Sequence, residues 1–226
     1  MKERLKLYFQ LIQQLLVSPE EELELLEANS DLGFVLDIGA KNALSTAESE
    51  QAKAIRAVIS YFSNLIQQFP EQWAITQINL GNAYLERIEG ERAENLETAI
   101  ACYEDALIIL TQQEFPEQWA ITQIDLGNAY SDRIEGERAE NLETAIACYE
   151  DALIILTQQE FPELWAITQN NLGNAYLERI EGERAENLET AIARCEDALK
   201  IYTEQEFPEQ WAITQNNLAI ASILLG

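Results

Sequence analysis

The chain of 226 residues contains no histidine. That absence removes Ser-His-Asp and Cys-His nucleophilic catalysis, and most zinc sites with them. Cations are scarce too: 14 Lys and Arg stand against 40 Asp and Glu, a net charge of −26. With no basic stripe to neutralise phosphates, nucleic acid is not expected as a direct ligand. The acidity reads as a solvated, self-repelling surface or as the complement of a basic partner. Cysteine is limited to Cys102, Cys148 and Cys195. An odd number without CxxC spacing points to reduced thiols packed in or near helices, not to a disulfide frame or a metal site. No apolar run is long enough to span a membrane. The opening "MKERLKLYFQLIQQLLVSPEEE" places Lys and Arg before an apolar stretch, but Gln10, Gln13 and Gln14 interrupt it. No small-residue cleavage site follows, so it reads as an amphipathic helix of a cytoplasmic protein.

What is present is a period. "FPEQW" begins at Phe69, Phe115 and Phe207 and "FPELW" at Phe161, 46 residues apart each time. Blocks 69–114 and 115–160 differ at three positions only: Asn79/Asp125, Leu85/Ser131 and Glu86/Asp132. Each unit therefore solves the same packing problem. One unit predicts two helices. The first starts at Pro70, whose missing N–H costs nothing at the first helical position, and stops near Gly90. The second follows the loop "EGERAEN", with Asn95 as its predicted cap, and carries Leu96, Ala99, Ile100, Tyr103, Ala106, Leu107 and Leu110 at helical spacing as a buried stripe.

In the first helix, steps of about 100° put Trp73, Gln77, Leu80 and Tyr84 on one side, with Gly81 and Ala83 allowing close approach. Ile75, Ile78, Asn79, Asn82, Leu85 and Glu86 fall on the other. A lone hairpin cannot bury both faces. Stacked hairpins bury one against their neighbours and leave the other lining a groove.

"LGNAY" followed by "AIACYEDA" resembles the tetratricopeptide repeat. The residues that carry the likeness are Leu80, Gly81, Tyr84, Ala99, Tyr103 and Ala106. They recur as Leu126, Gly127, Tyr130, Ala145, Tyr149 and Ala152, then as Leu172, Gly173, Tyr176, Ala191 and Ala198. Cys195 takes the aromatic position of the third copy, a departure expected to loosen its packing. The resemblance covers residues 69–222. At 46 residues the unit exceeds the usual tetratricopeptide length of about 34, and in this it is similar to kinesin-light-chain-type repeats and to cyanobacterial arrays that often precede caspase-like domains.

The resemblance implies an all-α, right-handed superhelical solenoid. Its units are 69–114, 115–160, 161–206 and a partial 207–226, behind a helical N-terminal cap over 1–68. Helices in that cap are expected near 2–17, 19–28, 31–45 and 48–67. It also implies a non-catalytic scaffold that binds a peptide or protein segment in a concave groove, with no cofactor and no membrane partner. Stacking would align Asn79, Asp125, Asn171 and Asn217 with Asn82, Asn128 and Asn174 as a ladder of amides. Amides offer both donor and acceptor, as an extended peptide backbone requires. Asn170 and Asn216 extend the ladder, while Ile78 and Ile124 make the groove more apolar toward its N-terminal half. The same amides would alternatively bond one another and fix the register of the repeats.

The tryptophans Trp73, Trp119, Trp165 and Trp211 read as packing residues. Arg87, Arg133 and Arg179 read as partners of neighbouring acids. The acidic loops match no EF-hand spacing, so no metal is expected. Two other readings stay open. The chain would serve as a structural or sensory arm of a larger signalling protein, or it would self-associate through the apolar Ile220, Ile223, Leu224 and Leu225 near its C-terminal end.

Overall fold

A computed structural model describes residues 68–226; the helices expected within 1–67 lie outside the described residues. Seven helices follow one another: α1 (Pro70–Glu86), α2 (Arg92–Ile109), α3 (Pro116–Asp132), α4 (Arg138–Ile155), α5 (Pro162–Glu178), α6 (Arg184–Ala198) and α7 (Pro208–Leu225). Odd-numbered helices are the A helices of the repeats and even-numbered ones the B helices. Each packs on its neighbours in order, and the A helices also meet along the stack, α3 with α5 and α5 with α7. The described residues form an all-α repeat solenoid, and none of their helices is long and apolar enough to cross a membrane.

Every A helix begins as predicted. Phe69, Phe115, Phe161 and Phe207 are the N-cap residues, and the prolines that follow occupy the first helical turn. The turns before α3, α5 and α7 are closed by a threonine: Thr111 Oγ1 accepts from the Glu114 amide at 3.2 Å, and Thr157 and Thr203 repeat the contact.

The A–B loop corrects the predicted boundaries. α1 ends at Glu86, with Arg87 already extended, and Gly90 lies in the loop with φ of 85°. Gly136 and Gly182 share that left-handed conformation, which a side chain would strain. α2 starts at Arg92, so Asn95 is not its cap. It stands in the first turn, buried, and donates its amide back to the Glu89 carbonyl at 3.1 Å. Asn141 and Asn187 do the same to Glu135 and Glu181 at 2.8 Å. The cap signal was misleading because the buried side chain satisfies loop carbonyls, not helix amides.

The core runs between A and B helices. Leu96, Ala99, Ile100, Tyr103, Ala106 and Leu110 are buried as the stripe predicts, while Leu107 is half-buried. Gly81 lets the B helix close in: a Cβ there would stand 2.7 Å from Cε1 of Tyr103. In the third unit Cys195 takes the place of that ring. A Cβ on Gly173 would meet its Sγ at 3.0 Å and the Ala191 carbonyl at 3.3 Å, and Cys195 is buried. The tryptophans pack at the edges of these clusters, as expected.

Candidate functional site

The contacts of α3 with α5 and of α5 with α7 place these A helices side by side along the stack. No Lys or Arg occurs in any of the four A helices. Apolar residues are exposed on them at Ile75, Ile167 and Ile213. Between these lie the amides, and the structure sorts them into two groups.

One group forms a continuous hydrogen-bonded chain. Tyr149 Oη donates to Asn128 Oδ1 at 2.8 Å, and Asn171 Nδ2 donates to the same oxygen at 2.9 Å. Asn170 donates to Asn171 at 3.4 Å. Asn170 Oδ1 in turn accepts from Thr214 Oγ1 at 3.0 Å and from Asn217 at 3.4 Å. These bonds join the second, third and fourth units. In the first unit Tyr103 Oη donates to Asn82 Oδ1 at 2.6 Å. The second group looks outward. Asn79 and Asn216 are exposed, and Asn174 donates only to the exposed Glu178 of its own helix at 3.2 Å.

Ile78 is half-buried between two core clusters. Ile124 is 5% exposed and packs among Ala120, Leu172 and Ala175. The structure places it in the core and not on the groove wall, because α5 covers the side of α3 that a single helix would leave open. Asp125 is half-buried, and burial pushes its carboxyl up to about 6.

Outside the amide chain, successive units are tied by charge. Arg133 grips Glu97 of the preceding unit through two bonds of 2.6 Å, and Arg179 grips Glu143 through two of 2.7 Å. Each guanidinium also lies over the ring of Tyr130 or Tyr176, 5.4 Å from its centroid. Those tyrosines donate in turn to Glu104 at 2.9 Å and Glu150 at 3.1 Å. Arg92 reaches Asp132 at 3.4 Å, and Arg138 pairs with Glu178. Arg133 and Arg179 thus pair as expected, whereas Arg87 sits over Tyr84 at 5.7 Å. The glutamates were not singled out in the sequence. The signal that would have found them is that Glu97 and Glu143 recur at fixed offset from the arginines.

Among the described residues no three His, Cys, Asp or Glu side chains gather to hold a metal. The thiols are inert by burial, with Cys148 pushed up to about 12 and Cys195 to about 11.

The tetratricopeptide repeat family matches the chain over residues 165–209, from the first turn of α5 through α6 to the start of α7. No curated protein and no solved structure matches the chain.

Proposed function

Since the chain is a tetratricopeptide-type repeat protein, we propose that it is a non-catalytic interaction scaffold whose A-helix face takes an extended protein or peptide segment. One observation carries this reading. The face combines exposed Ile75 and Ile167 with amides that no other repeat engages among the described residues, Asn79, Asn174 and Asn216. Unengaged amides beside apolar side chains suit a peptide, whose backbone needs donors and acceptors whatever its sequence. Asn82, Asn128, Asn170, Asn171 and Asn217 brace the wall and keep their remaining donors for the same ligand. Asp125 and Ile78 border it, and Ile124 supports it from beneath. We assign the protein to the cytoplasm, in keeping with the unbridged, buried Cys148 and Cys195.

The test is selection of peptides from a random library on the full chain, followed by titration of the selected peptides against Asn79→Ala/Asn174→Ala. Affinity should fall by tenfold or more, roughly two hydrogen bonds at about 1 kcal/mol each, with the thermal midpoint unchanged. Selected peptides that bind the double variant as tightly as the parent would sink the proposal.

A second reading has its own observation. Ile213, Ile220, Ile223, Leu224 and Leu225 of α7 are exposed, an apolar surface suited to self-association. Such pairing would not copy the repeat interface. At the positions of Gly173, Asn174, Tyr176 and Arg179, α7 carries Ala219, Ile220, Ser222 and Leu225. Light scattering over a concentration series checks it, and a strict monomer throughout removes it.

A further inference from the structure

The amide chain has one chemically different rung. Asn79, Asp125, Asn171 and Asn217 share a position in the repeat. At the interface between the second and third units, Asn171 donates to Asn128 Oδ1, which also accepts from Tyr149. The first and second units carry the same residue types at the matching positions save one. Tyr103 donates to Asn82 Oδ1, and Asp125 stands where Asn171 stands, the same 43 residues beyond its partner asparagine. An ionised carboxylate has no proton to give that oxygen. Asp125 makes no hydrogen bond and no ion pair among the described residues, although it is half-buried.

Among the described residues its surroundings offer no charge to compensate. α3 packs against α2, α4 and α5. From α2 the Tyr103 phenol faces Asp125, and its own ionisation is opposed by that carboxylate. From α4 the Tyr149 phenol is committed to Asn128, and its ionisable neighbours are the neutral Cys148 thiol and Asp132. From α5 the Asn171 amide reaches α3 at Asn128, one turn beyond Asp125. The charges at the far end of α3 are engaged elsewhere, Arg133 with Glu97 and Asp132 with Arg92.

We propose that the interface between the first two repeats is a pH-responsive joint: protonated Asp125 donates to Asn82 Oδ1 and completes the rung, while ionised Asp125 leaves the rung open and the first repeat less firmly docked. The direction follows from proton binding. Burial holds the folded carboxyl at about 6, above the ordinary carboxylate value, so the folded state binds the proton more tightly than the unfolded one. The stabilising contribution is full below the unfolded value, falls as pH rises through about 6, and is absent above. A chain without histidine has few other groups that titrate in this window. Because the stability of a stacked array is a sum of neighbour terms, the loss falls on the first unit and not on the whole.

Hydrogen exchange of the full chain at pH 5.0 and 7.5, corrected for intrinsic rates, reads this joint. Amides of α1 and α2 should be about 10-fold more protected at the lower pH, a fraction of the roughly 100-fold that two pKa units allow. Those of α5 and α6 should not change. Asp125→Asn, which restores the residue the other repeats carry, should give the higher protection at both pH values. Asn171→Asp should transfer the pH dependence to the next interface. Equal protection of α1 and α2 at both pH values overturns the proposal, as does a pH dependence that survives in Asp125→Asn or fails to appear in Asn171→Asp.

Discussion

Gly127→Ala and Gly173→Ala are the same substitution at the same repeat position, and they should behave differently. A Cβ on Gly127 would lie 2.7 Å from Cε1 of Tyr149, with Cδ1 at 3.0 Å and Cζ at 3.1 Å. That ring is buried and is held at its far end by the bond from its hydroxyl to Asn128. Moving it costs about 1–3 kcal/mol of overpacking strain and forfeits a hydrogen bond of about 1 kcal/mol. Alanine's helix preference over glycine returns about 1 kcal/mol. The net is a loss of about 2 kcal/mol, or about 4–8 °C in thermal midpoint for a chain of this size. On Gly173 the nearest atoms are Cys195 Sγ at 3.0 Å and the Ala191 carbonyl and Arg194 Cβ at 3.3 Å, a looser set than the ring on Gly127, and no phenol bond is at stake. The strain of about 1 kcal/mol is then offset by the same helix preference, leaving a change of less than about 1 kcal/mol. Urea denaturation followed by circular dichroism measures both. Tyr149→Cys, which copies the third unit, should make Gly127→Ala mild. The reasoning is refuted if Gly127→Ala is as stable as Gly173→Ala.

Two further outcomes follow from the ties between units and from the buried thiols. Removing Arg179 should cost about 1 kcal/mol or less, since both partners are partly exposed, and the loss should shrink in 1 M salt. Arg179 holds the Glu143 carboxyl below its ordinary value, so the pair stabilises above the carboxylate range and the advantage disappears as pH falls through the lowered value. Denaturation of wild type and Arg179→Ala across acidic pH checks both statements, and a constant gap between them contradicts the second. Cys148 and Cys195 should resist a thiol-specific disulfide reagent at pH 8 in the native chain, then react promptly in urea. Native labelling at the rate of a small thiol would mean that the B helices open far more readily than their packing implies.

Much of this architecture was readable beforehand because the repeat turns one packing solution into several copies. Phe-Pro marked every A-helix start, and the Leu96-to-Leu110 stripe marked the buried side of the B helix. The readings that failed are those a single helix cannot decide. Ile124 sits on the same helical side as Asp125 and Asn128, so spacing alone sent it to the groove. The next repeat covers it. Asn95 has the chemistry of a cap, yet Arg92, Ala93 and Glu94 already form the first turn before it, and its amide was needed by loop carbonyls. The division of the asparagines was equally invisible. Whether Asn128 or Asn174 is engaged depends on the B helix of its own unit, where Tyr149 supplies a donor and Cys195 does not.

The charged ties between units reach back by fixed intervals: 36 residues from arginine to glutamate and 26 from tyrosine to glutamate. Each interval is shorter than the 46-residue unit, so no tie passes over an intervening repeat. An in-frame duplication of one whole unit would therefore create an interface already supplied with both halves of these charged contacts, and an excision would rejoin matching halves. The length of the array is thus free to drift by recombination while these ties stay the same. A gain or loss of any other length would break several ties at once.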